Sequence, residues 1–158
     1  EIKLAKANWE KKGYFFAVRI NCSSDINIAE LNLNGKNITQ IFPDVTFYDY
    51  TKVFKYLDNI KKFPNLYYTY SYNGYNHLSC KKALEKGVNI AVCFENKLPK
   101  YFNGIPVING DNSDFRPNDP KRCIVGLKLK TTSNMIKDHK FVMPSSKFIV
   151  PLSDKRCS

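Results

Sequence analysis

The sequence predicts an α/β fold, either an open sheet of five or six mostly parallel strands alternating with helices or a partial (β/α) barrel. Strand-like and helix-like segments alternate at intervals of about 20–30 residues, which is typical of parallel strands joined by right-handed crossovers. The strand segments are nearly continuous apolar runs, as expected for parallel strands that are buried on both faces. They are too few to close an eight-stranded barrel on their own.

Six segments favour strands because β-branched and aromatic side chains dominate them. The strongest is residues 88–94, an apolar run that starts directly after Gly87. The shortest is residues 106–108, which precedes the turn-forming residues 109–111. The predicted strands are residues 14–20, 45–50, 66–70, 88–94, 106–108 and 123–129, and residues 148–150 are a candidate for one more short extended segment.

Four segments favour helices, and each is bounded by a residue that ends one. Residues 38–42 place apolar side chains at helical spacing directly before Pro43, which a helix does not pass easily. Gly13 and Gly87 suit the position that follows a helix. The predicted helices are residues 3–12, 38–42, 53–60 and a segment around residues 80–84.

The chain length fits one domain of ordinary size. Of its 158 residues, 43% are hydrophobic, which is enough for a packed core. We expect a single α/β domain over residues 1–130 and a basic C-terminal tail over residues 131–158, packed on the domain or on a partner. No apolar run of about 18 residues is present, so we expect no membrane contact.

The cysteines and the known motifs exclude several classes of protein. The five cysteines are widely scattered and none has C-x-x-C spacing, so we expect reduced thiols and no metal site. Reduced thiols favour the cytoplasm or a particle assembled in it. The chain contains no P-loop, no dinucleotide-binding glycine motif, no nucleophile elbow and no H-E-x-x-H motif, and it indicates no cofactor.

Positive charge is the strongest feature of the composition. The formal net charge is +11, and residues 61–158 contribute seventeen Lys and Arg against seven Asp and Glu. A one-sided basic field favours a polyanionic partner, and nucleic acid is the first candidate. The alternative is that the lysines only solvate the surface.

A series of ordered segments resembles a known family. The segments read VRINCSSDI (18–26), FPDVTFYDYTK (42–52), GVNIAVCF (87–94), GIPVINGD (104–111) and IVGLK (124–128). Together they resemble the C-terminal half of a family of phage- and plasmid-encoded proteins of unknown function. The resemblance implies a phage or other mobile element as the source, and therefore the host cytoplasm or the virion as the location.

The resemblance also implies a part that this chain lacks. Members of the family usually carry an N-terminal half with clustered cysteines, similar to a metal or iron–sulfur motif on a barrel scaffold. Glu1 falls about where the C-terminal half begins, so we expect a fragment. Without the cysteine cluster, the resemblance supports no metal-dependent activity here.

Polar residues gather where the predicted strands end. Ligands of parallel α/β proteins bind at the carboxyl ends of the strands, so these residues are the candidates for catalysis or phosphate binding. An arginine or aspartate within a strand needs a partner, and Arg19 with Asp49 is the obvious pair. The alternative is that the residues cap strands and hold loops. The candidates are Arg19, Asp25, Asp49, Lys52, Asp111 and Asp114.

Aromatic and basic residues supply the candidates for nucleic-acid contact. Tyrosines can stack on unpaired bases, although strand tyrosines are more often half-buried packing residues. Lysines and arginines of the C-terminal half can bind phosphates. The candidates are Tyr70, Tyr72, Arg116, Lys121, Arg122, Lys128 and Lys130.

Three functions follow from these observations. The first is a phage or mobile-element protein that binds nucleic acid through its basic C-terminal half, with a catalytic or phosphate-binding cluster at the strand ends. The second is a non-enzymatic structural or assembly component of a virion or larger complex. The third is a small-molecule enzyme that uses Asp25, Asp49 and Lys52. The first is preferred because of the uneven charge.

Overall fold

The structure, a computed structural model, describes residues 1–21, 24–130, 149–150 and 153–157. Most of its strands lie within one to three residues of the predicted ones. In chain order they are β1 (Ala17–Arg19), β2 (Asn32–Leu33), β3 (Lys36–Asn37), β4 (Thr46–Thr51), β5 (Leu66–Ser71), β6 (Ile90–Phe94), β7 (Tyr101–Phe102), β8 (Ile105–Asn109), β9 (Ile124–Lys128) and β10 (Ile149–Val150). The α-helices are α1 (Ile2–Glu10), α2 (Ile38–Ile41) and α3 (His77–Glu85).

Seven strands form the main sheet, in the order β1-β4-β5-β6-β9-β8-β7, and β10 pairs with β6 beside this path. Every pair in this sheet is parallel except β7 with β8. The sheet is open, with β1 and β7 at its two edges. The predicted α/β class and open sheet are therefore confirmed. The strand number exceeds five or six because β7 lies outside the predicted strands and β10 falls on the short extended segment noted at residues 148–150.

The helical segments follow local sequence rules. A capping box starts α2: the Asn37 side chain accepts the Thr39 N–H, and the Gln40 side chain accepts the Asn37 N–H at 3.1 Å. The predicted helix over residues 53–60 is instead a 3₁₀ helix, Phe54–Asn59. Within the described residues, no helix has the length and hydropathy needed to cross a bilayer.

One face of the sheet carries the hydrophobic core. Alternate residues of the central strands point to this face, where α3 contributes Cys80 and Ala83. Burial raises the pKa of the Cys80 thiol to about 12, so the thiol stays protonated at neutral pH. The fully buried core residues of the strands are Phe47, Leu66, Ile90, Val92 and Phe94.

The connection from β8 to β9 crosses the other face of the sheet. The backbone of Gly110 lies against β9, since an added Cβ would be 2.6 Å from Cγ1 of Val125. The ring of Phe115 packs edge-on against Tyr48 of β4, with 5.4 Å between ring centroids. This connection therefore brings residues 110–119 over strands that are distant in the sequence.

The described parts of the predicted tail lie against the domain. β10 extends the sheet beside β6, and the Asn103 N–H donates to the Arg156 carbonyl at 2.8 Å. The Arg156 guanidinium donates to Tyr72 Oη at 2.7 Å and binds both carboxylate oxygens of Asp154, which lowers the pKa of Asp154 to about 2. Residues 131–148 of the tail lie outside the described residues.

Candidate nucleic-acid interface

The predicted cluster at the carboxyl ends of the strands is present, but its charges already bind one another. Arg19 Nη1 donates to both carboxylate oxygens of Asp114, at 3.1 and 3.0 Å. The expected Arg19–Asp49 pair is also present, with 3.8 Å between Nε and Oδ1. Asp114, which the β8–β9 connection brings across the sheet, is thus the closer partner of Arg19.

Asp49 serves the backbone rather than an open site. Its side chain is 1% exposed, and its oxygens accept the N–H groups of Asn21 and Tyr50 at 2.9 and 2.8 Å. Burial raises the pKa of this carboxyl group, while the two N–H donors and Arg19 oppose the shift. Because both oxygens are occupied and enclosed, the geometry does not favour Asp49 as an acid or base for a ligand.

Asp25 and Asp111 hold loops in the same way. Asp25 accepts the Thr51 hydroxyl at 2.7 Å and the Lys52 N–H at 2.8 Å. Asp111 accepts the Lys128 N–H at 3.0 Å and lies 3.6 Å from Lys130 Nζ. These contacts are those of strand-end caps, which was the alternative interpretation of the cluster.

Two cavities adjoin the cluster at the carboxyl ends. One of about 460 Å³ is lined by apolar side chains and by the charged residues Arg19, Asp111, Asp114, Lys128 and Lys130. The other, of about 390 Å³, is lined by Asp25, Asp49 and Lys52 and shares Arg19 with the first. The eight charged residues that line them are four cations and four carboxylates, so the cavities have little net field for an anion. The described residues contain no group of three or more His, Cys, Asp or Glu placed to hold a metal ion.

The two tyrosines predicted to stack on bases are buried in the core. Tyr70 packs edge-on against Phe54, and Tyr72 is enclosed by Phe102 and His77. Both rings are buried, so neither is placed to stack on a base in this structure. The rings point inward because even-numbered residues of β5 face the core.

A different cavity, which we call the amino-end cavity, lies at the opposite end of the strands. Its volume is about 600 Å³, and it opens between the amino ends of β5, β6 and β9. Among the described residues, no acidic side chain lines it. The residues that line it are Ile60, Tyr67, Tyr68, Thr69, Lys86, Gly87, Val88, Asn89, Arg116, Lys121 and Arg122.

Arg116 is the innermost cation of the amino-end cavity. Its side chain is 3% exposed, with Nη1 3.2 Å from an Asp119 carboxylate oxygen. Nη2 donates to the carbonyls of Gly110 and Ser113. Among the described residues, Nε has no hydrogen-bond partner, and Nη1 has only the ion pair with Asp119. Arg116 therefore holds the β8–β9 connection and leaves donor capacity beside the cavity.

Exposed cations form the rim of the amino-end cavity. Lys121 lies over the half-buried Tyr67 ring, with 5.4 Å from Nζ to the ring centroid. Lys86 is paired with Asp58 at 2.8 Å. Within the described residues, Lys121 and Arg122 form no ion pair. The rim therefore carries positive charge that no carboxylate matches.

The seven residues predicted for nucleic-acid contact do not form one surface. Lys121 and Arg122 precede β9, whereas Lys128 and Lys130 lie at and beyond its end. Residues 123–127 separate the two pairs, which at the rise of an extended chain is a distance of roughly 15–20 Å. Tyr67 and Lys86, which complete the amino-end cavity, are absent from the predicted set. The odd-numbered position of Tyr67 in β5, on the face opposite the core, is the signal that identifies it.

The fold and the cavities define an α/β protein with an open parallel sheet, a charge-balanced carboxyl end and a cationic amino end. The model of a phage-type family described as Gene product 88 matches residues 1–143. The chain belongs to this family and is a phage-type protein. No curated protein and no solved structure matches it.

Proposed function

We propose that the protein binds nucleic acid in the infected host cell or in the virion, and that the amino-end cavity is the centre of the contact surface. The observation that carries the proposal is the rim formed by Lys121 and Arg122, which have no ion pair among the described residues. When a lysine or arginine contacts a phosphate backbone, condensed counterions are released and binding is favoured. Cations that have no carboxylate partner are the ones free to make this contact.

The distribution of charge supports the same surface. Residues 61–158 carry ten of the eleven net positive charges. At the carboxyl end, Arg19 and Lys130 are matched by Asp114 and Asp111. A catalytic or phosphate-binding role for that end is a separate proposal, and the matching of its charges makes it the weaker one.

Salt dependence is the first test of this proposal. The logarithm of the binding constant for a DNA or RNA oligonucleotide should fall linearly with the logarithm of the salt concentration. Contact with three to four phosphates gives a slope of about −3 on B-DNA. Fluorescence anisotropy between 50 and 300 mM salt measures it, and a slope near zero would contradict a phosphate-directed interface.

A second candidate function is assembly into a virion or larger complex. The observation that favours it is an exposed apolar group beside the β1 edge. Phe15 is 71% exposed, Tyr14 is 60% exposed, and Trp9 packs edge-on against Tyr14. Aromatic side chains grouped on a surface are typical of protein interfaces.

Sedimentation of the purified chain, alone and with particle components, tests the assembly function. A fixed stoichiometry that is lost on W9A/F15A substitution would support it. Binding to nucleic acid that is unchanged by the same substitution would show that the two surfaces act independently. A monomer that never associates with particle components would exclude the assembly function.

A further inference from the structure

We propose that the amino-end cavity admits one nucleotide of an unpaired strand, so that the ligand class is single-stranded nucleic acid. This inference rests on the proposed function and names the form of the ligand. Three features of the cavity support the inference. They are its volume, the aromatic ring of Tyr67 in its wall, and the buried Arg116 guanidinium, which has a donor without a hydrogen-bond partner among the described residues.

The volume of the cavity limits the size of the ligand that can enter it. About 600 Å³ lies within the range of sites that enclose small molecules of nucleotide size. Thr69, Gly87 and Asn89 keep the space open because their side chains are small or turned to other partners. The Asn89 amide, for example, donates to the Pro120 carbonyl at 2.8 Å. A duplex presents phosphates to a concave surface but keeps its bases stacked, whereas a single strand can insert a base.

Tyr67 offers the wall against which a base can stack. Its ring is half-buried on the face of the sheet opposite the core, and Lys121 now covers it at 5.4 Å. A phosphate of the bound strand attracts the Lys121 ammonium group, so the lysine can exchange a cation–π contact for a charge pair. The face of the Tyr67 ring is then available to a nucleobase. The Lys121–phosphate contact and the stacking on Tyr67 therefore form together.

Arg116 supplies hydrogen-bond donors at the base of the cavity. Among the described residues, Nε of its buried guanidinium has no hydrogen-bond partner, and such a donor is costly unless an acceptor reaches it. Oxygen and nitrogen acceptors on a base edge or a phosphate meet this need. Because Asp119 lies 3.2 Å from Nη1, the net charge at the bottom of the cavity is small. A small net charge suits an uncharged nucleobase.

The experiment compares three ligands at one salt concentration: a ten-nucleotide single strand, the duplex of the same sequence, and inorganic polyphosphate. Stacking of one base predicts that the single strand binds roughly 5- to 150-fold more tightly than the duplex. Tyr67→Ala should remove this preference, and Tyr67→Phe should keep it, because only the ring takes part in stacking.

Photo-crosslinking gives a readout on the unsubstituted protein, which guards against a Tyr67→Ala chain that fails to fold. An oligonucleotide containing 5-iodouracil should crosslink within the amino-end cavity, with Tyr67 as the main product by mass spectrometry. Crosslinks confined to the carboxyl end would overturn the inference.

The outcomes separate this inference from the proposed function. Equal binding of single strand, duplex and polyphosphate would overturn the single-strand inference and leave a general polyanion surface. Failure of all three to bind at 50 mM salt would overturn both proposals. A single-strand preference that Tyr67→Ala leaves unchanged would overturn the role of the cavity.

Discussion

Reversing two charges, with K121E and R122E in one chain, should weaken nucleic-acid binding by roughly 10- to 100-fold at physiological salt. Both residues are exposed on the rim of the amino-end cavity, and neither forms an ion pair among the described residues. The substitution removes two phosphate contacts and introduces repulsion, so the salt slope should also become shallower by about two units. Anisotropy titrations at several salt concentrations measure both quantities.

The matched control changes the net charge by the same amount at residues that do not line the amino-end cavity. Lys97 and Lys100 are exposed and lie in the connection between β6 and β7, so K97E/K100E gives an equal loss of positive charge outside the cavity. We expect this control to retain most of the affinity. If both double variants weaken binding equally, overall charge rather than the amino-end surface attracts the ligand, and the proposed location is wrong.

The large elements of the fold are predictable because they depend on local pattern. Residues 88–94 form an apolar run that could only be buried, and β6 lies within it. Gly87 has a φ of 83°, as expected for the glycine that ends α3. Alternation of such segments is sufficient to predict parallel pairing, since crossover connections are short and of one hand.

The short hairpins were equally open to prediction and are missing from the predicted elements. Asn34-Gly35 joins β2 to β3, and Asn103-Gly104 joins β7 to β8. All four residues have positive φ angles, which the type I′ hairpin turn requires and which Asn-Gly provides at low cost. The strands β2, β3 and β7 have only two residues each, so apolar periodicity gives no signal for them and the turn residues are the only signal.

The partners of the charged residues could not be predicted in the same way. Asp49 is a reasonable guess for Arg19 because the two belong to neighbouring strands. The closer partner, Asp114, is 95 positions away and arrives through a connection that crosses the sheet. Likewise, a basic stretch looks like one surface in the sequence, yet β9 directs Lys121 and Lys128 to opposite ends of the sheet. Charge pairing depends on the tertiary path, which local pattern does not contain.

Replacing Asp49 with alanine should lower the free energy of unfolding by about 2–5 kcal/mol, because it leaves two backbone N–H donors without an acceptor. The N–H groups of Asn21 and Tyr50 lose their acceptor, and Arg19 Nε loses its nearby carboxylate. Asp49→Asn keeps the size and one acceptor, so its cost should be smaller. Chemical denaturation at neutral pH measures the three free energies.

Asp114→Ala is the comparison for Asp49→Ala, because it removes an exposed aspartate instead of a buried one. Asp114 also binds Arg19, but its side chain is 63% exposed, so its loss should cost about 1 kcal/mol or less. A larger loss of unfolding free energy for Asp114→Ala than for Asp49→Ala would mean that the exposed Arg19–Asp114 pair, rather than the buried Asp49 carboxylate, stabilises the carboxyl ends of the strands. If instead the Asp49→Ala variant has the same free energy of unfolding as the unsubstituted chain, the carboxylate does not stabilise the fold. Its burial would then need another reason, and a chemical role for Asp49 at the carboxyl end would become the stronger interpretation.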